Sequence, residues 1–210
     1  MSTARPVLPS RWRALRNVVT GEIAFLFFTA VSVALHPGFV LKRNEGGMSN
    51  YGLHIKTALF YTLALGLLAL YSHRAALLYK DGDTRSSRLR LLLISYSSIV
   101  FLVLMSTYFY SMNVVLKNVH FTIGTALIVT VGVGSLWMYR QWPPSMVVRL
   151  LLFVQLAGDF LALMSAIGAL RVLFLAEMLS NIGFAALLVR TCRRVAAEDQ
   201  RDAASFHTPS

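Results

Sequence analysis

Residues 149–190 read RLLLFVQLAGDFLALMSAIGALRVLFLAEMLSNIGFAALLVR, two apolar runs that meet at Leu170. Each run, 149–169 and 171–190, has the roughly twenty residues a helix needs to cross ~30 Å of hydrocarbon. An isolated strand at that depth would leave its backbone polar groups unpaired, so runs of this kind are helices. Four further runs of the same character lie at about 17–36, 55–73, 91–111 and 121–139. The reading is an all-α integral membrane protein, a bundle of six transmembrane helices. One domain covers 1–194, and a polar, flexible cytoplasmic tail covers 195–210.

Composition agrees with this. Of 210 residues, 56% are hydrophobic and only 14% are charged, with a mean hydropathy of +0.62, against about 25% charged in an ordinary soluble domain. That excludes a water-soluble fold of this size. The formal charge of +11 would point to nucleic acid in a soluble protein. Here the cations sit between the apolar runs, so topology accounts for them and nucleic acid is not expected as a partner. Fifteen of the twenty Lys and Arg residues fall on one side of the six-run map and five on the other. The positive-inside rule puts the rich side, with both termini, in the cytoplasm. Trp12, Trp137 and Trp142 fall at the same interfaces, where amphipathic rings are favoured. A cleaved signal peptide is the competing reading of the first run, with Ser32-Val33-Ala34 as the cleavage site. Against it, the run exceeds a signal core of ~7–15 residues and contains Glu22.

Arg outnumbers Lys sixteen to four and the runs are rich in Ala, Leu and Val, a usage that points to a bacterial plasma (inner) membrane. Anionic lipid is the expected partner of the basic face, at about 1 kcal/mol per well-placed cation. A second copy or another membrane protein is a further candidate. The single cysteine, Cys192, permits no intramolecular disulfide and reads as a reduced, inert thiol.

Acidic residues within the runs carry the functional question, because each costs roughly 2.5–3.5 kcal/mol on insertion scales. Glu22, Asp159 and Glu177 are the three. Helical spacing places Gln155 with Asp159, and Ser180 and Asn181 with Glu177. Thr29, Ser32 and His36 continue the line from Glu22. Glu22, Gln155, Asp159, Glu177 and Asn181 thus form a candidate intramembrane polar site. It serves either as a proton or cation pathway or as protonated, hydrogen-bonded glue between helices. The fourth run carries Gly124, Thr125, Thr130, Gly132, Gly134 and Ser135, small residues that let helices approach.

His36, His54 and His120 all fall at the outer interface. If they converge they are candidate zinc ligands of an intramembrane lipid hydrolase, with Glu45 or Glu177 as general base. They lack the i,i+4 spacing of a strong zinc motif, and no cofactor is called for by any other pattern. The first outer loop, about 37–54, contains Gly46-Gly47 and Ser49-Asn50-Tyr51-Gly52, both turn-forming.

Three stretches resemble the DRAM-type six-helix membrane proteins and their prokaryotic relatives. They are Ser49-Asn50-Tyr51-Gly52 before the second run, His120 opening the fourth run and followed by Phe121-Thr122-Ile123-Gly124-Thr125-Ala126, and Ala176-Glu177 followed by Met178-Leu179-Ser180-Asn181-Ile182-Gly183-Phe184. Asn50 stands where those proteins carry an acidic residue. The resemblance implies the same six-helix plan and a regulatory or lipid-associated role without established catalytic residues. The leading expectation is therefore a non-enzymatic protein that organises lipid or a partner. A small proton- or ion-coupled transporter or channel component using Asp159 and Glu177 is the alternative, and the metal-dependent lipid hydrolase a second one.

Overall fold

A computed structural model describes residues 10–42, 47–79, 84–141 and 145–205. Glu45, Trp142 and residues 80–83 lie outside the described residues. The chain is all helical, with no strand among the described residues: α1 (Ser10–Leu35), α2 (Gly38–Lys42), α3 (Ser49–Leu53), α4 (Ala58–Ala76), α5 (Thr84–Thr107), α6 (Val114–Gln141), α7 (Met146–Ala166) and α8 (Leu173–Ser205).

Five of these, α1, α5, α6, α7 and α8, are long and apolar enough to cross a membrane. The 19-residue α4 is shorter and carries His73 and Arg74 in its last turn, so its apolar stretch has no polar-free margin. It packs between α1 and α5. Burial is inverted relative to a soluble bundle. Ile23, Phe27, Leu59, Leu91, Phe153 and Phe160 face outward, whereas Glu22, Ser32, Ser97, Gln155 and Asp159 are buried. Exposed apolar area on this scale marks a surface that meets lipid or protein rather than water.

The ends of the helices follow ordinary local chemistry. Ser145 caps α7 by accepting the Val148 N–H. α7 stops where Gly168 adopts a φ of 82° and the Ala169 and Leu170 N–H groups turn back to the Met164 carbonyl, as C-terminal glycine caps do. α8 differs from the expected boundary: it passes residue 194 without a break and continues to Ser205, with Val195 and Ala196 buried. Arg11 of α1 donates to the Val195 carbonyl at 3.4 Å, and Arg85 of α5 pairs with Glu198 at 3.3 Å. The starts of α1 and α5 and the last turns of α8 therefore share one end of the bundle. The opposite end is covered by α2 and α3, which occupy what the sequence presents only as a glycine-rich loop. Cys192 is buried and free.

Close helix approach is written into two glycines. A Cβ on Gly158 of α7 would lie 2.3 Å from the Ser180 backbone nitrogen, and one on Gly183 of α8 would lie 2.6 Å from Gln155 Cβ. On α6, Gly124 has nothing within 4 Å of such an atom. Gly158→Val is expected to lower stability by about 1–3 kcal/mol through overpacking. Gly124→Ala should be neutral or stabilising by up to about 1 kcal/mol through helix propensity. Thermal unfolding of both variants in detergent checks the contrast.

Candidate functional site

One stretch of α8 organises the polar interior. Glu177, Ser180 and Asn181 share a face because they are three and four residues apart. The close α7–α8 contact brings Asp159 against this face, where it accepts from Ser180 Oγ at 2.5 Å. Its other oxygen accepts from Gln155 Nε2, one turn earlier on α7. Asn181 serves α1 and α5: its Nδ2 donates to Glu22 Oε2 at 3.4 Å, and its Oδ1 accepts from the Tyr96 hydroxyl at 3.2 Å. Glu22 Oε1 is buried with no hydrogen-bond partner.

Glu177 reaches the loop end. Its Oε2 accepts the Met48 N–H at 2.7 Å. Gly47, at φ 56°, sits against the same carboxyl, and a Cβ there would lie 2.5 Å from Oε2. Both the left-handed backbone and the space require glycine. Next to it, Ser49 Oγ lies 2.9 Å from His120 Nε2, and Ser106 Oγ lies 2.8 Å from His120 Nδ1. The Tyr110 ring stacks on His120 with centroids 4.8 Å apart, and its hydroxyl donates to Asn50 Oδ1 at 3.3 Å. Tyr51, in α3, is buried and donates to the His36 carbonyl at 3.3 Å. Burial pushes its phenol up to about 12, so it stays a neutral donor.

Beneath α3 the bundle holds a partly open cavity of about 150 Å³. Its walls are mainly apolar, from Phe25, Leu65, Leu68, Val100, Val103, Ile128 and Val131. Its polar groups are Ser49, Tyr61, His120 and Glu177 at the α3 end, with Tyr96, Ser180 and Asn181 farther along α5 and α8. Phe121 and Thr125 of α6 line both this cavity and a groove on the outer face of the same helix. α6 is the least enclosed of the five long apolar helices.

The five residues of the expected polar site are thus gathered by α8, but not into a single file. Glu177 and Asn181 line the cavity, whereas Gln155 and Asp159 face Ser180 in the α7–α8 contact and Glu22 stands behind Asn181. The histidines divide. His36 and His54 pack ring to ring at 4.4 Å, with Phe39 stacked on His36 at 4.1 Å. His120 belongs to the separate Ser49–Ser106 cluster. Among the described residues no three His, Cys, Asp or Glu side chains form a group that could hold a metal ion. The sequence reading missed Tyr61, Tyr96, Ser106 and Thr107. Their only signal is hydroxyls at helical spacing within apolar runs.

The three stretches that carry the DRAM-type resemblance form α3, the second to fourth turns of α6 and the start of α8, and all three contribute to the cavity lining; His120 does not open its helix, since α6 begins six residues earlier at Val114. Comparison of the chain with protein-family models, with curated proteins and with solved structures returns no match.

Removing a single partner of Asp159 tests whether this network holds helices together. Ser180→Ala should cost about 0.6–1.7 kcal/mol, the range of interhelical hydrogen bonds in membranes. Asp159→Asn should cost a similar amount, because an amide presents a donor to one of two donors. In a double-mutant cycle of thermal stabilities the two losses should not add.

Proposed function

We propose that this chain is a six-span protein of a plasma membrane, with both termini cytoplasmic, that holds a membrane amphiphile in the cavity beneath α3. It acts as a lipid-associated regulator or organiser and not as an enzyme. The observation that carries the reading is the cavity itself: a mainly apolar chamber in an apolar-faced bundle, with Ser49, Tyr61, His120 and Glu177 at its α3 end and Tyr96, Ser180 and Asn181 farther along. An amphiphile has the same division. Its hydrocarbon gains by burial against the apolar wall, and its head meets fixed polar groups.

Topology supports the placement. α4 would span about 28 Å at 1.5 Å per residue, enough for a sixth crossing beside α1 and α5. The sharing of one end by α1's start and α8's last turns agrees with an even number of crossings. The cation-rich loops would then lie on the terminal side, where anionic lipid is attracted. The resemblance to DRAM-type proteins points the same way, since the residues that carry it surround the cavity.

A second reading, ion-coupled transport, draws on one observation: Glu22 Oε1 is buried without a partner. If Glu22 carries a coupling ion, Glu22→Gln should abolish ion-dependent uptake in vesicles. If it does not, the residue should behave as a stability determinant alone.

Native mass spectra of the protein purified in mild detergent test the main reading. The expected result is a one-to-one complex with an amphiphile that is retained at moderate activation energy. The complex should be lost in Val131→Phe, which fills the chamber. A wild-type protein that is bare under the same conditions, or an adduct that survives Val131→Phe, contradicts it.

A further inference from the structure

Where α6 meets α7, two buried polar side chains are left unsatisfied by the protein. Asp159 meets Ser180 Oγ at 2.5 Å and the amide of Gln155. An amide has two polar atoms, and one of them faces the carboxyl. The other, Gln155 Oε1, has no hydrogen-bond partner, although the residue is fully buried. Turning the amide over only exchanges the atom left without one. Ser135 of α6 is in the same situation: fully buried, with Oγ unpartnered.

The two belong to one place. Gly132 of α6 lies beside the Asp159 carboxyl, where an added Cβ would stand 3.4 Å from Oδ2. α6 ends at Gln141 and α7 begins at Met146, so the two helices run in opposite directions. Ser135, three residues after Gly132, therefore stands level with Gln155, four residues before Asp159.

Charge is the second imbalance. Asp159 is buried, and no Lys, Arg or His among the described residues pairs with it. A buried carboxylate without a counter-charge is strongly disfavoured. A proton alone would remove the charge and leave Gln155 and Ser135 unpaired. A water alone would serve those two and leave the charge. A single cation held by oxygens does both. One carboxylate balances one positive charge, which selects a monovalent ion over a divalent one, and neutral oxygens complete the shell of a hard cation.

We infer that α6 and α7 hold a monovalent alkali cation between them, with Asp159, Gln155 Oε1 and Ser135 Oγ as ligands and Gly132 leaving it room. The ion ties α6 to the α7–α8 pair through a contact that apolar packing does not supply. The inference goes beyond the amphiphile reading and does not depend on it, and it uses a different carboxyl from Glu22.

The test follows thermal unfolding of the full chain in detergent by tryptophan fluorescence. Sodium or potassium chloride replaces choline chloride at fixed ionic strength. The expected result is a saturable rise of the midpoint with at least one of the two metal ions, since a ligand of the folded state alone stabilises it. The ion that acts at lower concentration is the one the site takes. Asp159→Asn should abolish the response. Ser135→Ala should raise the half-saturating concentration at least about tenfold, the scale of one contact to a charged group. In choline the same variant should be no less stable than the unmodified protein, because it removes an unsatisfied buried hydroxyl. Equal midpoints in all three salts, or a response that survives Asp159→Asn, overturn the inference. A Ser135→Ala protein that is weakened in choline and keeps the original half-saturation overturns the ligand role of Ser135. If Asp159→Asn does not fold, the salt series on the unmodified protein and on Ser135→Ala decides the matter.

Discussion

Carboxyl groups placed among apolar helices must find partners inside the protein, and here one and a half turns of α8 supply them. Ser180 meets Asp159 of α7, Asn181 meets Glu22 of α1 and Tyr96 of α5, and Glu177 itself meets the backbone of the α3 turn. Remove that row and three helices and a cap lose these buried polar contacts at once, while Arg11–Val195 and Arg85–Glu198 remain near the other end of α8. The row works only because Gly158 and Gly183 let α7 approach within side-chain reach. Elsewhere the bundle relies on van der Waals packing, as apolar helices in lipid must. A few buried polar contacts then fix which helix faces align.

That arrangement leaves α6 as the loosely held element. It meets α5 through Gly134, where an added Cβ would touch Leu92 at 2.6 Å, and again through His120, but stands away from its neighbours at Gly124. The cavity lies where α6 stands off. Its lid, α3, is fastened on several sides: Met48 to α8, Ser49 through His120 to α6 and α5, Asn50 to Tyr110, and Tyr51 to the His36 carbonyl. In the proposed reading, α6 is the side by which an amphiphile would enter.

Much of the fold was legible in the sequence because the hydrocarbon constraint is so strong. The runs at 91–111, 121–139 and 149–169 each fall largely within one helix. The run at 171–190 did not announce that α8 would continue to Ser205, because the extension depends on tertiary contacts such as Arg11 to Val195. The glycine-rich loop gave no periodicity from which α2 and α3 could be read, since five residues are too few to express one. For the site, intramembrane charge singled out Glu22, Asp159 and Glu177, each of which accepts a hydrogen bond in the structure. It could not say that they would be held separately. Nor could it pick Tyr61, Ser106 or Thr107 from other hydroxyls in apolar runs, because what sets them apart is the tertiary partner each meets, Thr107 for Tyr61 and His120 for Ser106. The three outer histidines looked equivalent in sequence; Ser49 and Ser106 draw His120 away from the pair formed by His36 and His54.

The account's central claim is that α8 carries one polar row, with a chamber beside it closed by α3. An electron-microscopy structure of the protein in lipid nanodiscs, at a resolution that places side chains, tests this most directly. The account predicts Asp159 on Ser180, Glu22 on Asn181, Glu177 on the Gly47–Met48 turn, and elongated density running from Glu177 toward Phe121 and Thr125. A bundle in which α6 closes onto α5 and α8 with no chamber, or in which the α3 turn lies away from Glu177, would contradict it.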